Sequence, residues 1–249
     1  MKYIKFSCHK DLLEEKIIQP IPAKQNIPEW YKKIEKYFSQ DKHDRTIKSC
    51  VPVLDSITCG YLLRMPQDMQ MQYNIWVEPR KKYCTRISFS APPHQDSLNL
   101  GIQCDAEDHP NQQVGGPDSF YSKKHRGMGV PKIINPFVIK TPPGYSCMFI
   151  PPMHREMDYF HILPGIVDTD TFKLPINFPF IMNTDKYKTI DTIIKIGTPY
   201  VQVIPFKRDS WKMEIKAQEE NENEKNTFLH KLRMVDAYKL KWWDKKSYK

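Results

Sequence analysis

The distribution of proline is the feature that most constrains the fold of this chain. The 249 residues include 21 prolines but only 9 glycines. Proline fixes φ and has no backbone N–H, so it collects at the ends of strands and in rigid connections. Proline pairs at 92–93, 142–143 and 151–152 divide the sequence into short segments. This punctuation favours a mainly β fold with stiff loops and argues against a helical bundle.

Changes in apolar patterning divide the chain into three regions. We interpret residues 1–48 as an N-terminal arm, residues 49–211 as a β core domain, and residues 212–249 as a linker, a helix and a basic tail. Within the core, residues 91–131 are polar and rich in turn-forming residues. That length is too great for an inert connection in a compact domain, so we expect a loop that is either functional or mobile.

Two peripheral helices are predicted beside the β core. The first spans Pro28 to Phe38, where apolar residues recur every fourth position and Asn26 is the candidate N-cap. The second is predicted over Asn226 to Leu240 and is followed by two adjacent tryptophans. Tryptophans at a terminus are expected to anchor it to the body of the protein or to a partner.

Strand signals run through the core region. Apolar runs bounded by turn residues predict strands at residues 51–54, 59–63, 72–78 and 83–90, and several more between 133 and 206. The turn at 141–145 should deliver a strand in which Cys147 and Phe149 share one face. In the last of these strands, Tyr200 and Gln202 should share a face opposite their valine neighbours.

The overall charge indicates a class of ligand. A formal net charge of +9 and a pI of about 9.1 raise the local concentration of phosphorylated ligands and polyanions. Denser basic stretches lie at 123–126 and 231–249, and neither has the aromatic–basic alternation of a nucleic-acid module. A lysine-rich solvated surface is therefore favoured over a dedicated nucleic-acid face. The expected partner is an anionic small molecule, and a nucleic-acid partner is left open.

The sequence favours a cytoplasmic protein with no membrane association. No apolar run approaches the roughly 20 residues of a membrane helix, and the charged residues throughout Met1 to Glu14 are unlike a signal peptide. Six cysteines without a CxxC pair are expected to be reduced thiols. Cys147 is expected to act as a small buried hydrophobic residue.

A metal site is a competing interpretation of one short motif. His154-Arg155-Glu156 fits the His-x-Glu half of the two-histidine, one-carboxylate iron site of jelly-roll oxygenases, and His161 follows it. The motif is common by chance, and His161 is too close in sequence for the third ligand of that fold. We therefore expect no metal at these residues, and an Fe/2-oxoglutarate-type oxygenase is the third functional alternative.

Three segments in the second half of the core carry a family resemblance. They read TPPGYSCMFIPP from Thr141, LPGIVDTDTF from Leu163, and IIKIGTPYVQVIPFKRDSW from Ile193. Their order and spacing resemble the core of the dUTPase and dCTP deaminase superfamily. In those proteins a PxGY strand, a GxxD segment and a GxxxxQ strand form three walls of one nucleotide pocket. The resemblance implies a dUTPase-like distorted barrel, similar to a β-clip. Enzymes of this superfamily are trimers, so the resemblance also implies a homo-oligomer.

The same resemblance implies a set of site residues. Asp168 stands where the family places the catalytic aspartate that activates a water. The other implied ligand contacts are His154, Arg155, Asp170, Phe172 and Gln202. Mg²⁺ would be the expected cofactor of a nucleotide hydrolase. The alternative is that Asp168 and Asp170 only cap a tight turn through their side chains.

The sequence departs from the family at three points. Met153-His154-Arg155 replaces the Arg-Ser-Gly or Arg-Ser-Ser that grips phosphate, although His154 and Arg155 can still meet an anion. Thr171 and Phe172 stand where the family has a sugar-stacking tyrosine, and no glycine-rich C-terminal arm follows. These departures argue against an ordinary dUTPase.

A second resemblance covers most of the chain. The phrases IPEWYKKI, VPVLDSITCGYLLRMPQDM, INPFVIKTPPGYSCMFIPP and GIVDTDTF are similar to a family of bacteria and tailed phages catalogued only as a domain of unknown function. It implies no activity. The preferred interpretation is a dUTPase-fold small-molecule-binding protein, or an atypical hydrolase of a nucleotide or other anionic ligand. The alternative is a phage-encoded interaction or structural protein that kept the fold without enzymatic activity.

Overall fold

A computed structural model of the chain covers most of the core region and both ends. It describes residues 2–39, 45–78, 81–90, 106–108, 120–121, 130–156, 158–217, 222, 225, 227 and 238–249. Nearly all of the loop predicted at 91–131 lies outside the described residues, including its basic stretch at 123–126. Most of the helix predicted over 226–240 also lies outside them.

The described residues include fourteen strands and two short α-helices whose bounds are complete, and residues 120–121, 222, 225 and 227 are also helical. The strands are β1 (Lys5–Ser7), β2 (Ile21–Pro22), β3 (Tyr61–Arg64), β4 (Met69–Glu78), β5 (Lys81–Ser90), β6 (Ala106–Asp108), β7 (Pro131–Ile133), β8 (Val138–Lys140), β9 (Tyr145–Ile150), β10 (Phe160–Ile162), β11 (Gly165–Val167), β12 (Phe178–Met182), β13 (Thr189–Ile194) and β14 (Pro199–Lys207). The helices are α1 (Glu29–Lys33) and α2 (Val51–Thr58), with 3₁₀ turns at Lys10–Leu12, Ala23–Gln25 and Ile47–Ser49 and a π-helical turn at Tyr238–Trp242. The fold is therefore mainly β, as the proline pattern predicts. None of the described helices has the length and apolar character needed to cross a membrane.

The strands pair antiparallel in four sheets. The largest has the order β11-β9-β14-β3-β2, and the others are β10-β12-β7-β6, β13-β4-β5 and β1-β8. In the five-stranded sheet, β14 lies between β9 and β3 and pairs with β9 from Gln202 opposite Ile150 to Lys207 opposite Tyr145. Within the described residues these sheets are open, and they do not close into a barrel.

The core lies where apolar side chains of all four sheets meet. Its buried side chains include Leu63, Met71, Ile133, Phe149, Phe160, Phe178, Phe180, Tyr200, Val201 and Val203. Aromatic pairs such as Phe149 with Phe178, at 5.4 Å between ring centroids, join the sheets. Cys147 and Phe149 face this core while Met148 and Ile150 are partly exposed, so the predicted alternation along β9 is confirmed.

Strand β14 follows its predicted alternation only in part. Tyr200 packs in the same core as Val201 and Val203, whereas it was expected on the face of Gln202. The register with β3 shifts between Pro199 and Val201, and such a bulge adds a residue that breaks the alternation. From Val201 onward the valines face the core and Gln202 lies on the other side, as predicted.

The N-terminal helix is shorter than the sequence predicts. Helix α1 has only five residues, and the backbone is already extended at Ile34. The ammonium of Lys48 donates hydrogen bonds to the carbonyls of Lys32 and Ile34, which satisfies the helix end there. Asn26 does not cap the helix, and Phe38 is exposed to solvent. The prediction of a helix over 28–38 with an Asn26 cap is therefore wrong.

Residues 51–54 were predicted as a strand and instead begin helix α2. A four-residue apolar run does not distinguish strand from helix, and Pro52 is compatible with the first helical turn. The hydroxyls of Ser56 and Thr58 donate to the carbonyls of Val53 and Leu54, one turn earlier. The strand that follows, β3, and the strands β4 and β5 lie where the sequence predicts them.

The C-terminal tail is anchored to the body, as the tryptophan pair predicts. The indole of Trp243 donates a 2.9 Å hydrogen bond to the carboxylate of Asp55 on α2, and Lys246 pairs with the same carboxylate at 2.7 Å. The ring of Tyr248 meets that of Tyr61 edge to face, 5.9 Å between centroids. These three contacts hold the tail against α2 and β3.

Candidate functional site

The residues predicted to form one site lie at opposite ends of strand β9. Asp168 contacts Ser146, near the start of β9, whereas His154 and Arg155 follow its last residue, Ile150. Ile150 is four positions after Ser146, and an extended strand covers roughly 13 Å over four positions. Within one chain, the structure therefore separates the two acidic candidates from the two basic ones.

At the start of β9, Asp170 is locked in an ion pair. Its carboxylate, 7% exposed, accepts a 2.8 Å hydrogen bond from the Gly144 N–H and is held by both terminal nitrogens of Arg208. The Arg208 guanidinium, together with the Gly144 N–H, lowers the pKa of Asp170 to about 2. Asp170 therefore joins the turn at 141–145 to the end of β14, which is a structural role.

Asp168 is neither a side-chain turn cap nor part of an enclosed site. Its carboxylate is 61% exposed, and one oxygen accepts from the Ser146 hydroxyl at 2.7 Å and pairs with Arg208 at 3.2 Å. The turn itself forms through the backbone, because the carbonyl of Asp168 accepts from the N–H groups of Thr171 and Phe172. The side chain of Phe172 is partly exposed beside this turn.

Gln202 is fully occupied by backbone partners. Its amide nitrogen donates to the carbonyls of Ser56 and Cys59 at 2.9 and 2.8 Å, and its oxygen accepts from the Met153 N–H at 3.0 Å. The side chain is buried, with 1% of its surface exposed. In this geometry Gln202 connects β14 to the end of α2 and to the loop after β9 rather than facing a ligand.

A pocket of about 450 Å³ lies beyond the other end of β9. It is formed by the loop at 151–155, by β10 and by the first residues of β14. Its wall is largely apolar, with Phe160 and Tyr200 contributing rings. The polar side chains that line it are His154, Arg155, Asp158 and His161. Sequence reasoning had placed two of these four in a ligand site.

Arg155 is the unusual group in this pocket. Its guanidinium donates a 2.7 Å hydrogen bond to the side-chain oxygen of Asn26, a neutral partner, and it forms no ion pair with a carboxylate in the described part of the chain. Burial lowers the pKa of Arg155 to about 10, because removal from water disfavours the charged form. Among the described residues, therefore, no carboxylate neutralises the positive charge of Arg155.

The loop that carries Arg155 is held by the N-terminal segment. His154 has a φ of 58°, a left-handed conformation that is uncommon for residues other than glycine. The indole of Trp30 donates a 2.8 Å hydrogen bond to the carbonyl of His154, and their rings lie 6.5 Å apart. Asn26, just before the short helix α1, and Trp30, within it, thus fix the two basic residues after β9.

Asp158, the acidic residue that lines the pocket, is hydrogen-bonded to residues other than Arg155. Asp158 accepts hydrogen bonds from the Lys186 ammonium at 2.8 Å and from the Tyr187 hydroxyl at 2.7 Å, and the Lys186 hydrogen bond lowers its pKa. Asp158 is thus not a counter-ion of Arg155. Among the described side chains, no three His, Cys, Asp or Glu residues lie close enough together to hold a metal ion.

Comparison with known proteins adds no identity. No protein-family model matches the sequence, and no curated protein matches it significantly. The two resemblances stated above therefore stay predictions. The geometry provides a pocket of small-molecule size, lined by an arginine that no described carboxylate pairs with, and a separate ion-paired cluster at Asp168 and Asp170.

Sequence reasoning missed the partners that decide these roles. Arg208, which pairs with both aspartates, and Asn26, which contacts Arg155, are far from those residues in sequence. Asn26 carried a helix-cap signal, and nothing local in the sequence marks Arg208 as the partner of a distant turn. Only the pairing of β14 with β9 brings Arg208 to that turn.

Proposed function

We propose that the protein binds a small anionic molecule in the pocket beside Arg155. The observation that carries the proposal is the Arg155 guanidinium, which lies in the pocket wall and bonds to a neutral amide instead of a carboxylate. A charge that is partly removed from water is costly unless it is paired, so an anion bound at Arg155 offsets part of that cost. A hydrogen bond to a charged group contributes about 1.5–3 kcal/mol.

The walls and volume favour a ligand with one anionic group on a larger, less polar body. A volume of about 450 Å³ lies in the usual range of small-molecule sites. Arg155 is suited to phosphate or carboxylate because its planar guanidinium can donate two parallel hydrogen bonds.

We also propose that the five-stranded sheet is related to the core of the dUTPase superfamily. In its support, the three segments that carry the resemblance become three adjacent strands, β11, β9 and β14. We propose binding rather than hydrolysis as the activity of the Arg155 pocket. The carboxylate that the resemblance offers as a base, Asp168, lies at the other end of β9 from Arg155.

The test is a calorimetric titration with inorganic phosphate, deoxynucleoside mono- and triphosphates, and short-chain carboxylates. We expect at least one of these anions to bind, and Arg155→Met to weaken that binding at least about tenfold, the equivalent of 1.4 kcal/mol. Lys173→Met is the matched control, because it removes one positive charge from an exposed turn. Absence of binding by every anion, or equal weakening by both variants, would contradict the proposal.

A further inference from the structure

Beyond its last paired residue, strand β14 continues as an exposed segment that we call the arm, residues 209–217. Strand β14 pairs with β9 as far as Lys207, and the Arg208 N–H still bonds to the Gly144 carbonyl. At that point β9 begins from the turn at 141–145, so among the described residues the chain beyond Arg208 has no neighbouring strand. Within the described residues, no backbone hydrogen bond joins the arm to the rest of the protein.

The arm has the side-chain pattern of a strand that is buried on one face. Trp211, Met213 and Ile215 are 91%, 83% and 84% exposed and alternate with charged residues at 212, 214 and 216. Period-two alternation places the three apolar side chains on one face of an extended segment. Large apolar side chains exposed together in this way mark an interaction surface.

A second exposed apolar surface lies at the free edge of the five-stranded sheet. This edge patch consists of Ile166 on β11 and of Phe172 and Leu174 after it, which are 63%, 41% and 64% exposed. Strand β11 pairs only with β9 among the described strands, so its outer backbone groups are open to another strand. The edge patch is therefore a surface that an extended apolar segment can cover.

The arm begins beside the edge patch without covering it. Arg208, at the base of the arm, pairs with Asp168 and Asp170, which lie between Ile166 and Phe172 in the chain. Both surfaces are nevertheless exposed in the single chain. The arm and the edge patch both adjoin Arg208. With a two-fold axis near Arg208, the arm of each copy can therefore cover the edge patch of the other.

We propose that the arm of one copy of this chain lies along β11 and the edge patch of a second copy, and that the exchange is reciprocal. Each copy contributes three arm residues and three patch residues, and burying all of them in the pair removes on the order of 1,000 Å² of surface from water. That area reaches the size of a specific interface. The arm would also form backbone hydrogen bonds with the outer N–H and C=O groups of β11. The proposal is independent of the Arg155 pocket, because neither the arm nor the edge patch lines it.

Light scattering across a concentration series tests the proposal. We expect the wild-type chain to be a dimer at roughly 10 µM, and the variant Trp211→Ser/Met213→Ser/Ile215→Ser to be a monomer with an unchanged circular-dichroism spectrum. Phe38→Ser is the matched control, since Phe38 is 83% exposed outside both surfaces, and it should leave the dimer intact. A wild-type monomer, a trimer, or a dimer that survives in the arm variant would overturn the two-fold exchange.

A mixing experiment separates arm-to-patch contact from arm-to-arm contact. The patch variant Ile166→Lys/Leu174→Lys should be monomeric alone, like the arm variant. Mixed together, the two variants can form a heterodimer that keeps one intact arm on one intact patch. We expect this heterodimer to form, with a dissociation constant at least tenfold weaker than that of the wild type. If the mixture stays monomeric at the highest concentrations, or if the patch variant alone dimerises as well as the wild type, the arm does not bind the patch.

Discussion

At the scale of single residues, the same residue types act in two different ways in this protein. Arg208 is paired with carboxylates and holds the turn at 141–145, whereas among the described residues Arg155 donates its hydrogen bond to the amide of Asn26. The difference lies in their partners and not in the arginines. A paired arginine contributes to structure, and an arginine kept without a carboxylate is available to a ligand.

The pairing of Asp170 predicts a pH dependence of stability. The pKa of Asp170 is lowered from its ordinary value of 3.8 to about 2. Its contribution to folding is therefore complete above the unfolded pKa and is lost as the pH falls through the folded pKa. We expect the difference in unfolding free energy between wild type and Asp170→Asn to be largest near neutral pH and to shrink between about pH 4 and pH 2.

Urea unfolding at a series of pH values measures this difference. Asp209→Asn serves as the control, because it removes the same charge from a more exposed position. If the gap between wild type and Asp170→Asn stays constant from neutral pH to pH 2, the Arg208 ion pair does not stabilise the folded state.

At the scale of secondary-structure elements, helix α2 is joined to the sheet by a buried amide. Gln202 on β14 bonds to the carbonyls of Ser56 and Cys59 at the end of α2 and to the N–H of Met153. Gln202→Met keeps the volume but leaves these buried backbone groups without their partner. We expect the substitution to lower the free energy of unfolding by about 2–4 kcal/mol.

Chemical denaturation of Gln202→Met beside Gln72→Met tests this role. Gln72 is a glutamine on β4 whose side chain bonds at the surface to Asp191, so its replacement should cost less than about 1 kcal/mol. Equal small losses in the two variants would show that Gln202 does not hold α2 against the sheet.

The sequence predicts the elements whose signals are local. The turn chemistry at 141–145 and the alternation that follows it identify β9, and the same reasoning identifies β3. It fails at residues 51–54, where four apolar residues fit a strand or a helix equally well. It also overextends α1, because Lys48, a residue distant in sequence, satisfies the helix end at Ile34.

At the scale of the whole molecule, the candidate site could be predicted only in pieces. His154 and Arg155 were identified because basic residues after an apolar strand can meet an anion. The separation of these residues from Asp168 depends on which end of β9 each contacts, and sequence spacing does not report this. The loop is held by Asn26 and Trp30, whose local signals indicated a helix.

We infer that Arg155 keeps its charge available to an anion because its partner among the described residues, Asn26, is neutral. The most direct measurement replaces that partner by an isosteric carboxylate, as Asn26→Asp, and titrates the variant with the anion that binds the wild type. We predict that affinity falls at least about tenfold while thermal stability is unchanged or higher, since the new ion pair competes with the ligand and is favourable by itself. Asn26→Ala, which adds no charge, should lose less affinity than Asn26→Asp. Unchanged anion affinity in Asn26→Asp would contradict the account.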